Sequence, residues 1–137
     1  MIEVGEVRAY LQDKVESELN KVETQLKLLS KQNAVEVRTN TLDLLKELNA
    51  EMLKLVRNAH KNKNIPVRIP ANIGICQKDL VGLRDDTGRK ILSSLNAAEG
   101  EAVKIKLLAD LKDIRKKIDF VISMLVSLEK EGKKSNN

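Results

Sequence analysis

The 137-residue chain carries a net charge of +5, and only 1% of its residues are aromatic, namely Tyr10 and Phe120. This length predicts a single domain, and the scarcity of rings argues against single-stranded nucleic-acid readers and against β-sandwiches or barrels. The single cysteine, Cys76, excludes an internal disulfide, and the single histidine, His60, excludes a multi-histidine metal site. The opening residues lack a signal-peptide pattern and no apolar run is long enough to span a bilayer, so we expect a cytoplasmic protein without a membrane span.

Apolar residues recur every three or four positions along most of the chain, which predicts helices. The first stripe covers 4–29, and its steps average close to the helical repeat. A second stripe follows the polar residues 30–33. Asn33 is a candidate N-cap, because Glu36 stands in the capping-box position. A helix start at Asn40, or no break at all, are the alternatives.

Residues 62–75 interrupt this helical pattern. Pro66 and Pro70 each lack a backbone donor and favour extended geometry in the residue before them. Three apolar residues alternate with the prolines and Arg68, and these are Ile65, Val67 and Ile69. We therefore expect a stiff, extended crossover with one apolar edge that lies along the helices.

The third stripe runs from Cys76 to Ala98 and contains two glycines. Gly82 and Gly88 each cost about 1 kcal/mol relative to alanine inside a helix, so a break at 85–88 is an alternative to a continuous helix. Beyond the stripe, the small residues of 97–100 predict a turn.

The last segment has the strongest helical signal. Seven apolar residues from Leu107 to Leu128 alternate in steps of four and three, which is a heptad seam. The polar residues 132–137 are expected to form a disordered tail.

These elements predict an all-α protein. The simplest assembly is an antiparallel four-helix bundle with the proline-containing crossover between helices two and three. Residues 1–131 would form the single domain, in which the packing of apolar faces stabilises the helices.

The segment from Phe120 to Leu128 is more apolar than one buried face requires. Either this helix is central and covered on several sides, or its extra face near Phe120, Met124 and Val126 binds a second copy of the chain. A closed two-fold homodimer is then the expected form.

Basic residues are concentrated in one stretch, because residues 52–78 hold six bases and no acid. The six are Lys54, Arg57, Lys61, Lys63, Arg68 and Lys78. One interpretation is structural, since cations complement a helix C-terminus and solvate an apolar connection. Another is a phosphate-binding surface for DNA or RNA with little sequence preference. An acidic protein or anionic lipid head groups are further alternatives.

Motifs for catalysis are weak in this sequence. The glycines within 82–90 have the wrong spacing for a phosphate-binding loop, and the acids at 85–86 and 99–101 are interpreted as helix-terminal residues rather than metal ligands. Cys76, near a predicted helix start, would have a lowered pKa and could pair with His60, although a core role is favoured for an isolated cysteine. We therefore predict no enzymatic activity, cofactor, metal or small-molecule substrate.

The sequence thus predicts a non-catalytic, homo-oligomeric helical-bundle protein for interaction or assembly. The alternative is a sequence-tolerant nucleic-acid-binding protein, such as a packaging or virion-associated component, that uses the basic segment 54–78.

Overall fold

The computed structural model describes residues 1–93 and 97–135, with the backbone alone for 92, 93, 97–99 and 133–135. Within these residues the regular structure is entirely helical, so the all-α prediction is confirmed. The elements are α1 (Val4–Ala9), a π-helical segment (Tyr10–Val15), α2 (Glu16–Lys27), α3 (Ala34–Lys61), α4 (Arg68–Ser93) and α5 (Ala97–Ser135).

The first three elements follow one another without a break, and we call them together the first rod. Its π-helical segment coincides with three successive four-residue steps in the apolar stripe, from Val7 through Leu11 and Val15 to Leu19. In a regular α-helix each such step rotates the side chain by about 40° away from the core. The wider π-helical turn compensates for this drift, and all four side chains remain fully buried.

The predicted turn between the first and second helical stripes is confirmed, because α2 ends at Lys27 and α3 begins at Ala34. Asn33 occupies the N-cap position of α3, as predicted, but the predicted capping box does not form. The Asn33 side chain makes no capping hydrogen bond to α3; its Oδ1 accepts from Ser30 N at 2.7 Å and its Nδ2 donates to Leu28 O at 2.6 Å. Asn33 therefore stabilises the turn before the helix.

The prediction of an extended crossover over 62–75 is also wrong, because α4 already begins at Arg68. Pro70 lies in the first turn of that helix, where a missing N–H breaks no intrahelical hydrogen bond. The connection is therefore only 62–67. It is closed by a hydrogen bond from Ile65 N to Asn62 O at 3.0 Å, and it leaves Val67 exposed, so no continuous apolar edge forms.

α4 continues through Gly82 and Gly88, so the break considered at 85–88 does not occur. The turn predicted over 97–100 is wrong, since α5 begins at Ala97. Residues 94–96, which connect α4 to α5, lie outside the described residues, as do the last two residues, 136–137. α5 runs through Ser135, so four residues of the expected tail belong to the helix.

The apolar stripes of all the helices meet in one buried core. Leu11, Leu48, Leu80 and Leu111, one from each stripe, are at most 1% exposed. α3 packs against α4, α4 packs against α5, and the first rod packs against both α3 and α5. This order of packing leaves the outer faces of α3, α4 and α5 for other contacts.

Candidate interaction surfaces

An ion pair fixes the relative position of α4 and α5. Lys117 Nζ donates to Asp79 Oδ2 at 2.5 Å, and this contact raises the pKa of Lys117. A groove of about 290 Å³ between the two helices shows their relative direction. Asp86, which follows Asp79 on α4, and Asp110, which precedes Lys117 on α5, both line it. Residue numbers thus rise along α4 as they fall along α5.

This register places two exposed apolar side chains at one level. Ile75 lies one turn before Asp79 on α4, and Phe120 lies nearly one turn after Lys117 on α5. Ile75 is 48% exposed and Phe120 is 60% exposed. Met124, one turn further along α5, is half-buried and packs against the core. We call Ile75, Phe120 and Met124 the α4/α5 apolar patch.

The structure separates the three residues that the sequence proposed as an oligomer interface. Phe120 and Met124 are four residues apart and lie on the same side of α5. Val126 is six residues from Phe120, about 240° around the helix, and is half-buried on a different side. Ile75 was missed, because nothing in the sequence indicates that it lies level with Phe120, 45 residues later.

The six predicted basic residues are all exposed, but they do not form one compact cluster. Lys54, Arg57 and Lys61 follow one another at intervals of three and four, so they share the outer face of α3. Lys63 lies in the connection between α3 and α4, and Arg68 opens α4. Lys78 lies nearly three turns after Arg68 on α4, so it is the basic residue of this set furthest from the connection.

Most of these bases have no acidic partner. Lys54 Nζ lies 3.9 Å from a Glu51 oxygen, which is a weak surface pair. For the other five, no ion pair forms within the part of the chain that the structure describes. Their charges are therefore available to an anionic partner.

Cys76 and His60 do not meet in the structure. Cys76 lies in the third turn of α4, is 1% exposed, and burial raises the pKa of its thiol to about 11. The expected lowering of this pKa by a helix N-terminus is wrong, because the helix begins eight residues earlier at Arg68. His60 is exposed at the end of α3. The pair therefore does not form an activated thiolate.

A polar cluster around Arg115 joins α2 to α5. The Arg115 guanidinium donates to Glu23 at 2.5 Å, to Glu16 at 3.2 Å and to Asn20 at 2.6 Å. Burial raises the pKa of Glu16, the neighbouring Asp119 raises it further, and Arg115 opposes both effects. The Glu23 pKa is lowered, first by its hydrogen bond from Lys27 and also by Arg115. The cluster is an interhelical contact whose charge depends on pH.

The remaining predicted motifs lie in regular helix. Residues 82–90 all belong to α4, so they form no phosphate-binding loop. The interpretation of Asp85 and Asp86 as helix-terminal residues is wrong, because both lie inside α4, where Asp86 pairs with Arg89 at 3.3 Å and Asp85 is exposed. Glu101 is exposed near the start of α5, and the side chain of Glu99 is outside the described set. Across the described side chains, no group of three or more acids, cysteines or histidines is arranged to hold a metal ion.

No helix in the described ranges is both long and apolar enough to cross a bilayer. Comparison of the chain with protein families, with curated proteins and with solved structures found no match.

Proposed function

We propose that this protein is a non-catalytic helical assembly module that forms a homodimer through the α4/α5 apolar patch. The observation that carries the proposal is the exposure of Phe120, the largest apolar side chain in the protein, beside the exposed Ile75. Scattered exposed apolar residues are ordinary, whereas neighbouring ones from two helices are typical of an interaction site.

The scaffold of this module is, in our proposal, an antiparallel four-helix bundle. Two interhelical ion pairs support it, since Arg8 near the start of the first rod pairs with Glu129 near the end of α5, and Glu16 pairs with Arg115. Along the two helices these contacts run in opposite directions. Such a bundle would hold the α4/α5 apolar patch rigidly, and a preformed surface loses little entropy on binding.

A second copy of the chain is the partner that the charges around Phe120 favour. In a two-fold contact between two α5 helices centred on Phe120, residues equally distant from it on either side face each other. Lys116 of one copy would then face Met124 of the other, and Asp113 would face Ser127. Each charge meets an uncharged residue, so like charges do not repel across the axis.

Light scattering on the eluting protein tests this proposal. We expect the unmodified chain to elute near twice its mass of 15.4 kDa at high concentration, and Phe120→Asp to elute as a monomer. Ile105→Asp is the matched control, because Ile105 is on the same helix and is 62% exposed but lies about four turns away. A dimer that persists in Phe120→Asp, or a loss of dimer in both variants, contradicts the assignment of the interface.

Nucleic-acid binding is a second candidate function. The observation that favours it is that Arg57, Lys61, Lys63, Arg68 and Lys78 are exposed and lack acidic partners among the described residues. Contacts of this kind bind phosphates without reading bases, as packaging or virion-associated proteins require. Duplex DNA binding that weakens steeply with salt, and weakens further in Arg57→Glu/Lys61→Glu, supports it. Unchanged binding in that variant contradicts it.

A further inference from the structure

A second basic surface lies between α3 and α4, at the end of this helix pair away from the connection 62–67, and all of its residues are outside the basic segment 54–78. Four bases line a groove of about 630 Å³ between the two helices. They are Arg38 and Lys46 of α3 and Arg84 and Arg89 of α4. Two acids, Asp43 and Asp85, also line the groove, so its basic residues exceed its acidic ones by two.

Arg38 is held in place before any ligand binds. Its Nε donates to the backbone oxygen of Gly88 at 2.9 Å, across the α3/α4 interface. A Cβ at Gly88 would lie in ordinary van der Waals contact with Arg38 Nη2, at 3.7 Å, so the guanidinium lies close against α4. Because this side chain is already ordered, binding an anion there costs little further conformational entropy.

The other bases of the groove are only weakly neutralised. Arg84 lies 3.8 Å from Asp85. Arg89, whose side chain is 76% exposed, lies 3.3 Å from Asp86. Exposed pairs of this kind contribute little energy and exchange readily for another anion. Lys46 is exposed and forms no ion pair with any described side chain.

Both helices carry the bases in rows along their outer sides. Lys46 and Arg57 are eleven residues apart on α3, and Lys78 and Arg89 are eleven residues apart on α4. Eleven residues correspond to about three helical turns, so the members of each pair lie on the same side of their helix. The contacts of Arg38 with Gly88 and of Asn49 with Gln77 run in opposite directions along the two helices, so α3 and α4 are antiparallel neighbours. Arg89 lines the groove between α3 and α4, whereas Lys78 lines the groove between α4 and α5 together with Asp79 and Asp110.

These rows extend over a length that suits a polymer of phosphates. The Lys46–Arg57 row on α3 and the Lys78–Arg89 row on α4 each cover about 16 Å along the helix axis, which is about half a turn of B-form DNA. A single small anion would occupy only the groove, whereas a duplex presents phosphates along the whole face. We propose that the α3/α4 face binds the phosphate backbone of duplex nucleic acid, with the groove at Arg38, Lys46, Arg84 and Arg89 as its second anchor. This inference extends the second candidate function and is independent of the α4/α5 apolar patch.

Fluorescence anisotropy with a labelled 20-base-pair duplex as the probe tests the inference. We expect Lys46→Glu/Arg89→Glu to weaken binding at least about tenfold, and to reduce the slope of log K against log salt by about two. Lys21→Glu/Lys27→Glu is the matched control, since both lysines are exposed on α2, and it should leave binding nearly unchanged. Circular dichroism of each variant establishes that the helices are intact.

The outcomes separate this inference from the second candidate function. If Arg57→Glu/Lys61→Glu weakens duplex binding and Lys46→Glu/Arg89→Glu does not, the groove is not an anchor and the inference fails, while the predicted basic segment keeps its role. Absence of duplex binding by the unmodified chain at low salt overturns both. Binding to phosphatidylserine vesicles without binding to the duplex assigns the face to a membrane surface and also overturns the inference.

Discussion

Lys117 and Asp79 join α5 to α4 through a hydrogen bond of 2.5 Å, and one turn beyond this bond Phe120 and Ile75 are exposed at the same level. The ion pair is itself half-exposed, so we expect it to add little to stability. Its significance is positional, because it defines which residues of the two helices are neighbours. The α4/α5 apolar patch follows from that register.

The first prediction concerns the glycine that lines the groove between α4 and α5. Gly82 is in the middle of α4, and a Cβ there would have no atom within 4 Å. Gly82→Ala should therefore stabilise the protein by about 0.5 to 1 kcal/mol, because alanine has the higher helix propensity. Urea unfolding should show a higher midpoint with an unchanged slope.

Gly74 provides a check on this prediction, since it also lies in α4 with open space around the added Cβ. Gly74→Ala should give a similar gain. A loss of stability in both variants would mean that α4 is not continuous through these positions.

Most of the helices could be predicted from the three- and four-residue spacing of apolar residues in the sequence. Among the described residues, the apolar stripe predicted for each helix coincides closely with its buried side chains, because apolar spacing directly reflects which face is buried. Helix boundaries were predicted wrongly where a residue type is compatible with two local structures. Pro70 is compatible with an extended segment and also with a first helical turn, and only the packing of Ile69 and Ile73 in the core selects the helix.

The π-helical segment also has a signal in the sequence, but this signal is lost when the step lengths of the first apolar stripe are averaged. The three consecutive four-residue steps from Val7 to Leu19 exceed the α-helical repeat, and they indicate about one extra residue over three turns. The two interaction surfaces had no such signal. Ile75 with Phe120, and Arg38 with Arg89, are brought together by interhelical register, which a single sequence does not encode in any local pattern.

The second prediction concerns a buried hydroxyl. Thr87 is fully buried in α4, and its Oγ1 has no hydrogen-bond partner among the described residues. A buried polar group without a partner is destabilising, so Thr87→Val, which keeps the shape, should stabilise the protein by about 1 kcal/mol. Thermal or urea unfolding measures this gain.

The exposed Thr39 is the control for the buried hydroxyl. Thr39→Val should change stability by less than about 0.5 kcal/mol, as surface substitutions usually do. If Thr87→Val is clearly destabilising, the hydroxyl has a partner and this description of the core is wrong.

The third prediction concerns the pH dependence of Glu16. Because its pKa is raised in the folded state, the folded chain holds a proton that the unfolded chain releases, and stability falls as pH rises through the interval above the ordinary value of 4.5. Glu16→Gln lacks this effect. The variant should therefore become more stable relative to the unmodified protein as pH increases from 4.5 towards neutrality, as measured by urea unfolding at each pH.

The pH dependence of the stability contributed by Glu23 should have the opposite sign. Its pKa is lowered in the folded state, so its contribution is present above its unfolded pKa and is lost as pH falls through the folded one. Glu23→Gln should be destabilising at neutral pH and less so in acid. Parallel pH profiles for the two variants would contradict the assigned shifts.

The fourth prediction concerns the reactivity of the single cysteine. Cys76 is buried and its pKa is about 11, so little thiolate exists at neutral pH and reagents have poor access. Iodoacetamide should label the native protein at least about a hundredfold more slowly than the urea-unfolded protein. Comparable rates in the two states would show that α4 opens readily around this residue.

Sedimentation equilibrium of the unmodified chain over a range of concentrations tests the central proposal most directly. If the α4/α5 apolar patch is a self-association surface, the average mass should rise from 15.4 kDa towards twice that value as concentration increases. A mass that stays at 15.4 kDa up to the highest concentration would contradict the proposal that this protein is an assembly module.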